Sequence, residues 1–374
     1  MPQQLRIPTH YYVYSDPPDR DGHETLHFVS GHRRVRLRGH SFREFVQRVV
    51  PLLDGAHTLD EVERQVQDVF KREDLYACLE MLGSQGLLDD AAVSQLPPAL
   101  GEFWRPQLNF FQEVSPVPED LQQLLRNARV SIFGAGGLGA SCALALATAG
   151  VGTLDLVDTG RVTTTDTYFS PVFDRSAIGV SRTAAIERRI EALKAETRIR
   201  SHEKALTTDG DVAGVIEGTT FALNCLDPGE SGLAYKLNRV CLAQRMPFTS
   251  VQATGAEVVL GPTVEPHRTA CFMCYKMRAV ACSDNPEAEF AHESFLDRRK
   301  HDDSSRGANL SFGVTIAAQL AGLEALKVVT GLGPAARGRL QVLNLLTFAM
   351  QTHLVLRKPS CPACFAEWDE AAGV

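Results

Sequence analysis

The spacing of hydrophobic positions changes along the chain, and the changes divide it. Three short β-prone runs come first, Tyr11–Tyr14, Thr25–Val29 and Arg33–Arg38, separated by turn residues at Asp16-Pro-Pro and Ser30-Gly-His. Helical spacing follows. Ser41 with Glu44 reads as a capping box ahead of Phe45, Val49 and Leu52, and Thr58 with Glu61 as a second ahead of Val62, Val66 and Val69. Leu75, Leu79 and Leu82 mark a third helix, from about Glu73 to Ser84, stopped by Gly86. Three strands then three helices predict a small α+β, winged-helix-like domain over residues 1–92. Ser94-Gln-Leu-Pro-Pro-Ala-Leu-Gly breaks regular structure. The aromatic-rich run after it, Glu102–Phe111, is expected to dock on the main domain or on a second subunit. Pro118 opens a helix, so residues 93–128 read as a linker with a docking helix.

From Arg129 the pattern becomes that of a parallel sheet. Val130, Ile132 and Phe133 lead into Gly134-Ala-Gly136-Gly137-Leu-Gly139, a helix of small residues follows, and Leu154–Val157 delivers Asp158. In such a unit the first glycine permits the turn, the second lets backbone approach phosphate, and the last lets helix and strand pack closely. An acid about 20 residues past the last glycine is placed for a ribose hydroxyl. A further apolar strand, Phe221-Ala-Leu-Asn-Cys, runs up to Asp227. Ser283–Asn309 is polar and reads as a mobile crossover loop, with His292, Glu293, His301, Asp302 and Asp303 solvated rather than gathered at a metal. Leu310–Val329 is a long apolar helix suited to core or dimer packing, and Leu340–Asn344 and Phe348–Leu356 finish the sheet. The fold class is therefore α/β, a Rossmann-like domain preceded by the small α+β domain.

Composition narrows the function classes. The 374 residues suffice for two domains, and 44% hydrophobic content supports a buried core. A net charge of −7 gives no reason to expect nucleic acid. No apolar run reaches the ~18 residues of a membrane span, and the N-terminus lacks the apolar stretch of a signal peptide, so a cytoplasmic protein is expected. Nine cysteines in such a chain argue for reduced thiols and a metal site rather than disulfides. Cys271-Phe-Met-Cys274 and Cys361-Pro-Ala-Cys364 are two Cys-x-x-Cys knuckles, each offering two thiolates from one turn. Together they would complete a closed, structural tetrahedral zinc site.

The doubled glycine of Gly134–Gly139, the following Ala-Gly-Val-Gly and the Leu-Val-Asp158 strand end resemble the MoeB/ThiF family over about Phe103 to Cys364. That resemblance implies the pairing of the two knuckles, a homodimer, and a nucleotide site at Gly134, Gly136, Gly137, Gly139, Asp158 and Asp227. A live adenylating site of this family also needs a second acid, an asparagine, an arginine–glutamine pair and a lysine, because two anions must be brought together at ATP. Here those positions carry Gly160, Asp166, Phe169, Ser170 and Arg182, and Asn224 and Pro228 depart from the pattern beside Asp227. An apolar ring in place of a cation, with an extra anion nearby, opposes ATP binding, so ATP is not expected as a cofactor.

The small domain, with Leu-Leu-Asp-Gly-Ala-His-Thr-Leu-Asp-Glu-Val and the closing Gly-Leu-Leu-Asp-Asp, resembles the PqqD-type element that binds the leader of ribosomal precursor peptides. The resemblance implies strand addition at Arg33, Arg34, Val35, Arg36, Leu37 and Arg38, with Leu75, Leu79 and Leu82 on the packing helix; the arginines suit an acidic leader. Gly261-Pro262 with Pro266-His-Arg-Thr-Ala-Cys271 is similar to leader-binding proteins of azole-forming clusters. The expected function is a scaffold without catalytic residues that brings a precursor peptide to a YcaO-type cyclodehydratase. The rival is a microcin-type adenylyltransferase that activates a peptide carboxylate. An NAD-dependent oxidoreductase fits Asp158 but leaves the knuckles and the small domain unexplained.

Overall fold

The computed structural model describes residues 4–91, 96–115, 118–193, 195–298, 308–332 and 336–365. The chain divides into two compact units, residues 1–122 and 123–374.

In the first unit β1 (Leu5–Arg6) is followed by β2 (Tyr12–Ser15), β3 (Glu24–Val29) and β4 (Arg34–Gly39), and the last three form an antiparallel sheet in that order. Helix α1 (Phe42–Glu44) continues through a π turn at Phe45–Val49 and a 3₁₀ turn at Val50–Leu52, and α2 (Leu59–Val66) and α3 (Arg72–Ser84) come next. A short β5 (Asp89–Asp90) pairs with β1, a strand pair the hydrophobic pattern did not reveal. Leu26, Phe28, Phe45, Val49, Val62, Val66, Leu75, Leu79 and Leu82 make the core.

Two caps divide differently from expectation. Thr58 and Glu61 form the reciprocal capping box. Ser41 does not cap: it is in the left-handed region at φ 60°, and the Arg43 amide donates instead to the Glu24 carboxylate of β3 at 2.8 Å. A strand residue thus supplies the acceptor that local sequence assigned to Ser41. Val69 lies beyond the end of α2, in a turn.

The segment read as a linker contains α4 (Pro98–Phe103) and α5 (Arg105–Val114), while residues 92–95 lie outside the described residues. Both helices belong to the first unit. From α5, Gln112 donates to Asp89 (2.5 Å), Asn109 donates to Thr9 (3.0 Å), and Glu113 faces His10 at 3.5 Å. The helix that carries the aromatic run is therefore held to the small unit by polar contacts.

Helix α6 (Pro118–Asn127) leads into the second unit: β6 (Arg129–Phe133), α7 (Gly137–Thr148), β7 (Thr153–Val157), α8 (Thr164–Phe169), α9 (Arg182–Ala192), β8 (Arg198–His202), α10 (Asp209–Ile216), β9 (Phe221–Asn224), α11 (Ser231–Ala243), β10 (Phe248–Thr254), β11 (Glu257–Leu260), α12 (Phe272–Ala281), α13 (Pro286–Arg298), α14 (Ser311–Thr330), β12 (Arg339–Asn344) and β13 (Met350–Leu354). The eight-stranded sheet runs β13-β12-β11-β10-β9-β6-β7-β8, parallel from β10 to β8 and antiparallel beyond. Strand β6 has β7 on one side and β9 on the other, so the chain leaves its C-terminal end at the switch point where α/β sheets bind ligands.

Two further expectations change. The polar crossover is helical over Pro286–Arg298, and residues 299–307 lie outside the described residues. Helix α14 is, by length and composition, apolar enough to cross a bilayer, with mean hydropathy 1.5. It instead packs on the sheet and on α7, with Val314, Ala317, Ala318, Ala321 and Ala325 buried. Its scattered Ser, Thr, Gln and Glu conceal from a run-length count how apolar it is.

Helix α7 can pack on β6 because its first turn carries a glycine, Gly139, where it meets the strand. Gly134 turns at φ 92°, and a Cβ at Gly139 would lie 1.8 Å from the Gly134 carbonyl oxygen. Gly139→Ala is expected to cost on the order of 2–3 kcal/mol, because backbone must move rather than a flexible side chain. Denaturant unfolding of the purified variant checks this.

Candidate functional site: a glycine turn closed by a buried ion pair, and a four-cysteine cluster

The nucleotide-type turn spans the ends of β6 and β7. Asp158, just past β7, accepts hydrogen bonds from the amides of Ala135 (2.8 Å) and Gly160 (2.6 Å). Its carboxylate therefore holds the glycine loop in shape. Helix α7 has no side-chain cap, which leaves its first-turn amides aimed at the site, as an anion-binding helix start requires. Phe169, the last residue of α8, lies over that turn: its Cβ is 2.5 Å from where a Gly137 Cβ would stand. Ser170 is buried and bonded to Ser141 of α7 at 2.8 Å.

Arg182, at the start of α9, is the residue that sequence placed at the lysine position. It is 9% exposed and makes a forked pair with Asp166, which is 1% exposed, through contacts of 3.0–3.1 Å. Its Nη1 also reaches Asp158 at 3.5 Å. Burial alone would lower the guanidinium pKa, but Asp158, Asp166 and Asp227 outweigh burial and hold it above the ordinary value. Asp166 also caps α8 reciprocally with Thr163. It is thus no loose extra anion repelling phosphate. It is engaged by the Arg182 guanidinium. The Thr-x-x-Asp box was legible in sequence; its pairing with Arg182 was not, because that contact links two separate helices.

A Cβ at Gly136 would lie 3.6 Å from Asp227 Oδ2, so this acid also borders the turn. Asn224 donates to Ser250 (3.2 Å) and accepts from the Leu226 amide (3.2 Å), a structural role in the strand end. The structure therefore gathers Gly134, Gly136, Gly137, Gly139, Asp158 and Asp227 at one turn, with Gly136, Asp158 and Asp227 beside Arg182.

Beside this region α13 is latched by polar contacts. Tyr235 donates to Glu293 at 2.7 Å, Lys276 pairs with Glu293 at 2.6 Å, and Ser231 donates to Asp297. Glu293 is thus engaged rather than solvated. His301, Asp302 and Asp303 lie outside the described residues.

The two knuckles meet. Cys271, Cys274, Cys361 and Cys364 are all buried, with their sulfurs within 4.8 Å of one another. Sulfur separations are 3.8 Å for Cys271–Cys274 and 3.7 Å for Cys271–Cys361 and Cys274–Cys364. Zn–S bonds of ~2.3 Å in a tetrahedron give edges of about 3.8 Å, so the donor set fits that ion and closes around it. The Lys358 amide donates to Cys274 Sγ at 3.4 Å, and Asn238 of α11 accepts from the Phe272 amide at 3.0 Å, orienting the first knuckle.

In the first unit the expected peptide-facing residues fall into two groups. Arg34, Val35, Arg36, Leu37 and Arg38 lie on β4, which pairs only with β3 among the described residues. Arg33, just before β4, donates to the Gln85 carbonyl at the end of α3, at 2.6 Å. Leu75, Leu79 and Leu82 are fully buried in the small core, correcting their assignment to a peptide-contacting face. Helical spacing finds the buried stripe, and here that stripe is used up inside the unit.

Residues 108–363 match the ThiF family. The chain belongs to the ThiF family. Its relatives include the vegetative protein HesA of Trichormus variabilis, 30% identical over 66% of this chain and 84% of that protein. Another is the molybdopterin-synthase adenylyltransferase of Escherichia coli, 24% identical over 66% of this chain and 90% of that protein. Among solved structures, E. coli MccB with ATP aligns at TM-score 0.67 and 16% identity, covering 96% of this chain and 99% of that one. PaaA aligns at TM-score 0.69 and 18% identity, covering 93% and 99%. The Rossmann-like ThiF fold with a small N-terminal sheet is thereby shared with MccB and PaaA.

Two measurements test the site. Asp166→Asn should destabilise the protein by about 3–5 kcal/mol, because it strands a buried guanidinium and weakens the α8 cap; urea unfolding reads the loss. Cys361→Ser with Cys364→Ser should abolish stoichiometric zinc in metal analysis and lower the melting temperature by about 10 °C, as the C-terminal segment loses its attachment.

Proposed function

We propose that this ThiF-family chain is a peptide-binding scaffold rather than an adenylyltransferase. It would hold the leader of a ribosomal precursor peptide by strand addition at β4 and present the peptide to a YcaO-type cyclodehydratase for azoline formation. The scaffold works by raising the local concentration of core peptide at its partner. Zinc at Cys271, Cys274, Cys361 and Cys364 is structural, since four thiolates leave no position for a substrate. Division into residues 1–92, a docking segment to 128, and a catalytically silent domain beyond belongs to the same reading.

The observation that carries this reading is the engagement of Arg182 by buried Asp166, with Phe169 over the first turn of α7. Adenylation needs cations on the transferring phosphate. Here the nearby guanidinium is held by carboxylates, and Phe169, whose Cβ packs on Gly137, occupies the position at which the family resemblance calls for another cation. Support for peptide binding comes from MccB, which has been solved in complex with N-formylated MccA and shares the fold over 96% of this chain.

A homodimer fits the exposed apolar residues at one end of the second unit. Leu310, Phe312, Leu346, Phe348 and Met350 are all about half exposed or more, and a Cβ on Gly313 would touch Leu345, so helix start and hairpin turn are neighbours. Apolar surface of this kind marks an interaction site.

The second reading, a microcin-type adenylyltransferase, rests on the retained glycine turn with Asp158 and Asp227. Calorimetric titration of zinc-loaded protein with magnesium–ATP separates the two. The scaffold predicts no heat at several hundred micromolar nucleotide, that is, binding of about −5 kcal/mol or weaker. Tight magnesium-dependent binding would sink the scaffold and start a search for the carboxylate that is activated.

A further inference from the structure

The open edge of β4 presents backbone groups and side chains in a fixed relation. The Ser30 amide donates to the Arg33 carbonyl at 2.9 Å, which makes these two a hydrogen-bonded pair. Alternation along an antiparallel ladder then turns the backbone N–H and C=O of Arg34, Arg36 and Arg38 away from β3. Those are the groups an added strand would engage. The side chains of these three residues are exposed, whereas Val35 and Leu37 between them are half-buried against the small core.

The arginines are not equivalent. Arg33 is spent on the Gln85 carbonyl, and Arg38 pairs with Asp19 at 2.7 Å. Arg34 and Arg36 extend from the outer face of the sheet with no charged partner among the described residues. The ladder sets Val29 and then Tyr12 beside Arg34, and His27 and then Tyr14 beside Arg36. Tyr14 stacks on His27 with centroids 4.7 Å apart, and Tyr12 is 76% exposed. Two unpaired guanidiniums therefore stand two residues apart on the open edge of a chain whose net charge is −7.

We infer that the β4 edge selects an extended peptide carrying acidic residues two positions apart with an apolar residue between them. This rests on the reading that the chain binds a peptide by strand addition. In an added strand, residues directly opposite Arg34 and Arg36 share their outer face, and carboxylates there sit within reach of both guanidiniums. The residue between points to the opposite face, beside Val35 and Leu37, where a polar side chain would lose water without gaining a partner. A second copy of β4 is a poor occupant, because arginine would meet arginine across the new ladder. The specificity thus lies in the period-two pattern rather than in total negative charge.

The test is selection of random 12-residue peptides from a displayed library on the full-length, zinc-loaded protein, with affinities of individual peptides then measured by fluorescence anisotropy. Enriched peptides should carry Asp or Glu at positions i and i+2 with an apolar residue at i+1. Moving one acid by a single position should weaken binding about tenfold at unchanged peptide charge. The same selection on R34E/R36E should return Lys or Arg at i and i+2; R34Q/R36Q, which adds no charge, should lose the preference for acid, and thermal melts establish that both variants are folded. Peptides that bind tightly without the pattern, or equally well to R34E/R36E, would overturn the inference while leaving peptide binding intact. Displacement of every peptide by heparin regardless of pattern would reduce the edge to a polyanion surface and overturn it as well. Recovery of no binding peptide at all would overturn the peptide-scaffold reading and this inference with it.

Discussion

The contact between the Gly134 carbonyl and Gly139 governs the second unit. It brings the first turn of α7 onto β6, and so brings uncapped helix amides to the sheet's switch point. Asp158 then bridges β7 to the loop through the Ala135 and Gly160 amides, and Phe169 of α8 closes over Gly137. Each of these placements needs the helix to start where it does. A side chain at Gly139 would push the whole arrangement apart, which is why small residues crowd this stretch.

Upon that frame the charges decide what the pocket can do. A phosphate-binding helix start calls for cations, yet three carboxylates, Asp158, Asp166 and Asp227, surround the guanidinium of Arg182. Pairing inside a protein compensates the desolvation of both groups. Asp166 in α8 and Arg182 in α9 tie those two helices to each other. Residues that depart from the family's pattern in sequence make, in three dimensions, a set of satisfied ion pairs.

The four-cysteine cluster shows how a small number of thiolates can organise a distant segment. Cys361 and Cys364 come after the last strand and join the core beside Cys271 and Cys274. Arg278 of α12 adds hydrogen bonds to the carbonyls of Leu356 and Arg357, so the segment is held by side chain as well as by sulfur. In the first unit the analogous work falls to α5, whose polar residues clasp Thr9, His10 and Asp89.

Sequence by itself determined the elements whose signals are local. The glycine turn, the acid at Asp158, the Thr58 cap, the leucine stripe of α3, the long apolar helix and each Cys-x-x-Cys knuckle were legible, because spacing and backbone geometry write them directly; the pairing of the two knuckles was implied only by the family resemblance. It did not determine the acceptors and partners that come from elsewhere in the chain. Glu24 rather than Ser41 serves the first helix, Gln85 engages Arg33, and Asp166 holds Arg182 across two helices. The burial of Leu75, Leu79 and Leu82 likewise follows from packing, since helical periodicity says which residues share a face but not what covers that face. Charge pairing and coverage depend on distances between segments far apart in sequence, and only the tertiary structure sets those distances.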